Sequence, residues 1–277
     1  MLSQCLNKNT LFNVLCRSAF NLPLSEKLDG HLTPKEVRFL SCLPFLKRPG
    51  AIVEIGSFKG KSTIILAKVS KEIKKEKIVA CDPLLLNSPT DPKDGDPQTL
   101  PQIFRHNLAK NDVTDYVEFH QKKSAELAQE WERAIKVLWI DGDHTYSGVS
   151  LDIDLFYNHL NDGALVCLHD VLHEQEGPIR VFIEKMVLSE EFPLCGCCGS
   201  IGWGVYTSKH RPSENEWVKK LNLYKSLSKL VPYTIKSRHK ISYSHFKYKI
   251  ARSRVPHGEV SASRWIEEIN RITRQWS

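Results

Sequence analysis

The 277 residues are 41% hydrophobic and 26% charged, which supports a sizeable packed core and excludes a disordered or fibrous chain. The net charge of +7 is uneven: 208–254 alone nets +11 and the rest −4, so the excess of basic residues belongs to the C-terminal region. No apolar run is long enough to cross a bilayer, and the eight scattered cysteines point to reduced thiols in a cytoplasmic setting rather than a disulfide framework.

In chain order, the first 25 residues carry Lys8 and Arg17 and no acid, with Asn13 and Arg17 interrupting the apolar stretch. This reads as an amphipathic helix packing on the body, part of an N-terminal helical segment over 1–48. Thr33-Pro34-Lys35-Glu36 is a capping box with proline at the first helical position, and predicts a helix from there to about Leu46. From Gly50 onward, strand-like and helix-like segments alternate. Strands are expected near 51–55, 77–82, 116–120, 135–141 and 163–169, with a last one at 202–206. Helices are expected near 61–73, 98–110, 124–133, 146–160 and 177–189, the fourth with Asp152 and Asp154 facing water. Repeated βα units predict an α/β, doubly wound, mainly parallel sheet over 49–208, with ligands beyond the C-terminal strand ends. The Pro- and Asp-rich stretch 84–101 reads as a long loop over those ends. Cys195-Gly196-Cys197-Cys198 lacks a second ligand pair at zinc spacing and reads as a loop of small residues.

The segment 50–68, GAIVEIGSFKGKSTIILAK, is a strand, a glycine turn and a helix start, the layout of a nucleotide-type pocket. A phosphate-binding loop needs four residues between its glycines; Gly56 and Gly60 enclose only three, although Val137–Asp141 would serve as the accompanying acidic strand. A dinucleotide fingerprint needs glycine at 58, where this chain has Phe58. S-adenosylmethionine has no phosphate and suits the remaining features. Glu54 with the turn Gly56, Ser57, Gly60 and Ser62 would receive its amino-acid end. Asp82 would take the ribose hydroxyls, Ser124 the adenine edge, and Lys61 reads as a surface residue.

VEIGSFKGKST (53–63), WIDGDHTYSGV (139–149) and CLHD (167–170), in this order, resemble the Rossmann-fold S-adenosylmethionine-dependent methyltransferases, within them the macrocin and mycinamicin sugar O-methyltransferases and cephalosporin-hydroxylase-like proteins. The resemblance covers about 30–207. It implies a seven-stranded sheet, cofactor contact by Asp141, and O-methylation of a sugar or other small-molecule acceptor. It also implies a divalent cation, Mg²⁺ or Mn²⁺, on Asp141 and Asp170, with His144 as base. His169 stands where several relatives carry an acid, and is a further candidate ligand. As a structural alternative, a strand-end aspartate also serves as a turn former.

The region 209–277 reads as a basic, helical extension. Trp217, Val218, Leu221, Tyr224, Leu227 and Val231 recur at helical spacing, with Lys219, Lys220, Lys225 and Lys229 on the other positions. Packing on the body, an anionic membrane surface and an anionic glycan acceptor all suit it, and self-association is left open. Lys and Arg alternate with Tyr243, Phe246 and Tyr248, but no named RNA-binding motif accompanies them, which argues against a nucleic-acid partner.

Overall fold

Short apolar runs rich in β-branched residues pair into one seven-stranded sheet: β1 Ala51–Ile55, β2 Ile78–Cys81, β3 Val117–His120, β4 Ile135–Ile140, β5 Leu160–Leu168, β6 Leu194–Cys198 and β7 Ile201–Val205. The computed structural model describes residues 30–73, 76–86, 88–90, 96–234 and 243–276, without the side chains of 243–245. The helix expected within 1–25, parts of the 84–101 loop and the basic stretch 235–242 lie outside the described residues.

The strand order is β3-β2-β1-β4-β5-β7-β6. The first five strands pair in parallel, and β7 runs antiparallel to both β5 and β6. The order reverses between β1 and β4, so loops leaving these two strands diverge and open a crevice at their C-terminal ends. Every residue of β4 is buried, as a central strand covered on both faces requires. One face packs under α1 Pro34–Leu40, α2 Lys61–Glu72 and α3 Leu100–Lys110. The other packs under α4 Ser124–Gln129, α5 Tyr146–Phe156 and α6 Glu176–Val181, which continues as a π-helical stretch over Phe182–Val187.

Several element ends differ from the sequence-based expectation. The first helix stops at Leu40 and gives way to a 3₁₀ turn at Leu43–Phe45, where Pro44 has no N–H to extend an α-helix. The helix from Ser124 ends at Gln129; the Trp131 indole then donates to the Arg133 carbonyl (2.6 Å), turning the chain into β4. Residues 194–198 form a strand. Its side chains alternate, Cys197 entering one apolar cluster and Cys198 the other, so the cysteine run is a two-faced edge strand and not a loop.

The tail is helical, with α7 Glu214–Leu227, α8 Val231–Thr234, α9 Tyr243–Ser253 and α10 Ala262–Arg274. Its buried positions on α7 are Lys220, Leu223 and Leu227, while Val218 and Leu221 are exposed. The packed face is thus rotated from the predicted stripe. Lys220 turns inward because its ammonium donates to the Phe192 carbonyl (2.7 Å) and the Ser189 carbonyl at the end of the π-helical stretch. On α9, Tyr248 and Ala251 join the cluster beneath α6. On α10, Ile266 and Ile269 join the opposite cluster, and Trp265 packs against Phe39 and Trp203, ring centroids 4.7 and 5.2 Å away. Burying each of those isoleucines is worth about 1.5–3 kcal/mol, so the tail is held to both faces of the sheet by apolar burial. Among the described residues no helix is long and apolar enough to cross a membrane.

Candidate functional site

A cavity of ≈ 850 Å³ opens at the β1/β4 switch point, within the range that holds a cofactor-sized ligand. Its floor is the turn after β1. Gly56 has φ +86°, and a Cβ there would come within 2.3 Å of the Asp141 carbonyl oxygen, so only glycine lets the ends of β1 and β4 approach this closely. Phe58 follows at φ 47° and Gly60 caps α2 at φ 88°. Asp82, just beyond β2, organises the loop: its Oδ2 accepts from the Ser57 N–H (2.7 Å) and the Phe58 N–H (2.8 Å), and its Oδ1 from the Leu84 N–H (2.7 Å). Those loop N–H groups therefore already hold a carboxylate. A phosphate would have to displace it from the Ser57 and Phe58 N–H groups, which weighs against the nucleoside-triphosphate reading of this turn.

Glu54 and Gly60 are not among the residues that line the cavity. The Glu54 carboxylate is fully buried behind the loop, accepting from the Ser57 hydroxyl (3.0 Å) and the Thr63 hydroxyl. Burial raises its pKa to about 7 against the hydrogen bonds from Thr63 and Ser57. Its place is that of a scaffold for the turn. Lys61 is also not a plain surface residue, since its ammonium donates to the Gly30 carbonyl (2.9 Å). Gly56, Ser57, Ser62, Asp82, Ser124 and Asp141 do line the cavity. Asp152, which the sequence pattern had facing water, is buried on the wall of the cavity that Ser124 also lines, and burial raises its pKa to about 7.

The strand ends of β4 and β5 bring Asp141, His169 and Asp170 together, with Asp170 at φ 57°. His144 sits on the turn before α5. Its Nε2 is 3.5 Å from Asp141 Oδ1 and 3.5 Å from Asp170 Oδ2, and this buried nitrogen has no hydrogen bond. His169 Nδ1 lies 2.9 Å from Asp141 Oδ1 and 3.4 Å from Asp170 Oδ1, and its Nε2 is 3.9 Å from Glu36 Oε2. Burial works against charge on both imidazoles, but the carboxylates prevail: the pKa of His144 is raised and that of His169 raised well above the ordinary histidine value. Burial alone would lift Asp141, yet the charge of His169 holds it far below the usual carboxylate range. Glu36, read from sequence only as a helix cap, has the same balance. Its pKa falls to about 2 because burial is outweighed by His169 and by the Ser200 N–H, which donates to Oε1 at 2.5 Å.

A divalent ion needs oxygens turned toward a common open point. Here the His169 N–H lies between the two aspartates, and among the described residues no group of three or more His, Cys, Asp or Glu is disposed to hold a metal ion. The residues as arranged do not fit the expected Mg²⁺ or Mn²⁺.

Asp143 fastens the loop to this turn. Its Oδ1 accepts from the Ser88 hydroxyl (2.8 Å), the Thr90 hydroxyl (3.0 Å) and the Thr145 N–H (2.9 Å). Sequence reasoning gave it no part, because Ser88 and Thr90 lie 55 and 53 residues away along the chain and only the fold brings them together.

A seven-stranded sheet in the order β3-β2-β1-β4-β5-β7-β6, with β7 antiparallel to both its neighbours and helices on both faces, is a Rossmann-like α/β fold. Residues 53–171 match the family model of a methyltransferase domain, the stretch that holds the turn, Asp82, His144 and Asp170. In structure the chain is similar to the O-methyltransferase NovP, with a TM-score of 0.50 and 15% identity over 72% of this chain and 97% of that one. It is similar also to cofactor-bound Rv0187 from MTB, with a TM-score of 0.50 and 15% identity over 74% and 92%. At these identities the likeness establishes the fold.

Proposed function

We propose that this chain transfers a methyl group from S-adenosylmethionine to a hydroxyl of a sugar or other small-molecule acceptor. The observation that carries the reading is His144 Nε2, buried, without a hydrogen bond, and 3.5 Å from two carboxylates that line the glycine-turn cavity with it. When bound, the cofactor supplies a methyl group on a sulfonium, a good leaving arrangement that needs only an aligned nucleophile. The glycine turn and Ser124 position that ligand, and Asp141 and Asp82 offer negative charge to a cationic one. His144 takes the proton from the acceptor hydroxyl as oxygen attacks the methyl carbon, and Asp141 and Asp170 stabilise the resulting imidazolium. The sugar acceptor rests on the sequence resemblance, and the O-methyl outcome is in keeping with the activity named for NovP.

S-adenosylhomocysteine should bind in a calorimeter while ATP gives no heat, and an acceptor screen should then show methyl transfer. Because His169 occupies the space between Asp141 and Asp170, excess chelator should leave turnover unchanged. Loss of activity with chelator and its return with Mg²⁺ would show that the imidazole is displaced by an ion.

A further inference from the structure

The C-terminal tail also contributes to the lining of this cavity. Arg252, on α9 of the tail, lines it together with Gln175, the residue before α6, and Ser200, in the β6–β7 turn. α9 is held there by Tyr248, whose hydroxyl donates to the Leu172 carbonyl and whose ring lies in the core. Arg252 donates from one Nη to the Ser200 hydroxyl at 3.2 Å, a long bond to a neutral group. Its Nε–H is buried and has no acceptor, and no carboxylate among the described residues lies within ion-pair distance of the guanidinium. Gln175 Oε1 is likewise buried and receives no hydrogen bond.

Leaving a buried charged donor unmatched costs free energy that an incoming acceptor atom recovers. A guanidinium presents its Nε–H and Nη–H as a planar fork matched to two oxygens of a phosphoryl or carboxylate group. The unpaired Gln175 oxygen, lining the same cavity, is an acceptor and calls for a hydroxyl or N–H. Glu36, Asp141 and Asp170 do not make this end repel anions outright, because His169 and His144 interleave with them.

We infer that Arg252 is a specificity-determining residue, and that the methyl acceptor is an oxyanion-bearing, hydroxylated small molecule whose anionic group is clamped by Arg252 and one of whose hydroxyls is received by Gln175. This rests on the methyltransferase reading and narrows it. The tail thereby becomes part of the acceptor site.

The test uses the full chain saturated with S-adenosylhomocysteine, in 0.15 M NaCl, titrated with inorganic phosphate and separately with acetate, with binding followed by calorimetry and by thermal shift. Phosphate binding assigns a phosphoryl group and acetate binding a carboxylate. In either case Arg252→Gln, which keeps a donor for Ser200, should weaken the anion at least tenfold, with S-adenosylhomocysteine affinity held within twofold. Arg252→Lys, which keeps the charge but loses the fork, should recover only part. Anion affinity unchanged in Arg252→Gln, or no binding of either anion to the unaltered chain, overturns the inference. Failure of S-adenosylhomocysteine to bind would instead strike the methyltransferase reading, and the same titrations on the ligand-free chain would still decide whether Arg252 holds an anion.

Discussion

The two halves of the cavity differ in how completely their polar groups are satisfied. In the half formed by β1, β2 and the glycine turn, Asp82 takes up the N–H groups of Ser57, Phe58 and Leu84, and Glu54 is tied to Ser57 and Thr63, with only its Oε1 unmatched. In the half formed by β4, β5 and the tail, His144 Nε2, His169 Nε2, Gln175 Oε1 and Arg252 Nε are all buried without hydrogen bonds. The first half therefore satisfies its polar groups internally apart from that oxygen, whereas the second leaves several that an incoming ligand would satisfy. That is the division expected of an enzyme whose cofactor is held by backbone geometry and whose acceptor is read by side chains.

The largest expected effect falls in the unsatisfied half. His144→Ala should lower kcat by roughly 10²–10⁴-fold, the usual worth of a positioned general base. S-adenosylhomocysteine affinity should stay within a few-fold, because the turn that holds it is untouched. In the unaltered chain, kcat/KM should rise with pH through an apparent pKa above the ordinary histidine value, since Asp141 and Asp170 favour the protonated form that cannot act as base. A flat profile between pH 6 and 8 would remove His144 from proton transfer. The complementary change is Asp82→Ala, which strips the acceptor from the N–H groups of the turn. It should cost about a hundredfold in S-adenosylhomocysteine affinity, roughly 3 kcal/mol, by the strength of hydrogen bonds to a charged group. Equal cofactor affinity in this variant would break the contrast between the two halves.

A smaller effect separates burial from function on α5, where Asp152 lines the cavity. Asp152 has its folded pKa raised to about 7 from 3.8, so the folded chain holds the proton more tightly than the unfolded one. Stability from this group is then undiminished at low pH, falls as pH rises from the unfolded value, and is fully lost above about 7. Asp152→Asn removes that loss. Its stabilising effect in urea unfolding should grow by about 2–3 kcal/mol between pH 5 and pH 8. A difference that does not change with pH would mean the carboxylate is relieved by something other than its proton.

The sheet, its parallel core and the switch point could be read from the sequence because alternation of apolar runs with helical periods is a local signal. So could the gathering of Asp141, His144, His169 and Asp170, since residues at the ends of neighbouring strands must share a rim. What escaped were facts set by packing across the chain. Glu54 and Asp82 look alike in sequence, each a carboxylate at a strand end, yet one is turned behind the loop and the other into it. Lys220 looked like part of a solvated face because its partners, the carbonyls of Ser189 and Phe192, come from a distant element. Arg252 was one basic residue among many until α9 was placed against the cavity. The β6 strand was hidden by its composition, since small cysteine and glycine residues carry little strand propensity and are held there by pairing with β7.

The smallest expected effect lies on the seam between the halves. Asp143 joins the 88–90 segment to the turn that carries His144, and the His144 N–H itself donates to the Thr90 hydroxyl at 3.0 Å. Asp143→Ala leaves the Ser88 and Thr90 hydroxyls and the Thr145 N–H without their shared acceptor, but all three lie near enough to solvent for water to replace part of it. The cost should therefore be a fraction of a buried network, about 1 kcal/mol, and should appear as a roughly fivefold rise in KM for cofactor or acceptor with kcat within twofold. The split between the two constants is the informative readout. If Asp143 only held a loop in place, KM alone would move. If kcat fell as far as KM rose, the Thr90 bond to His144 would be setting the position of the imidazole, and the loop would belong to the acceptor half of the site.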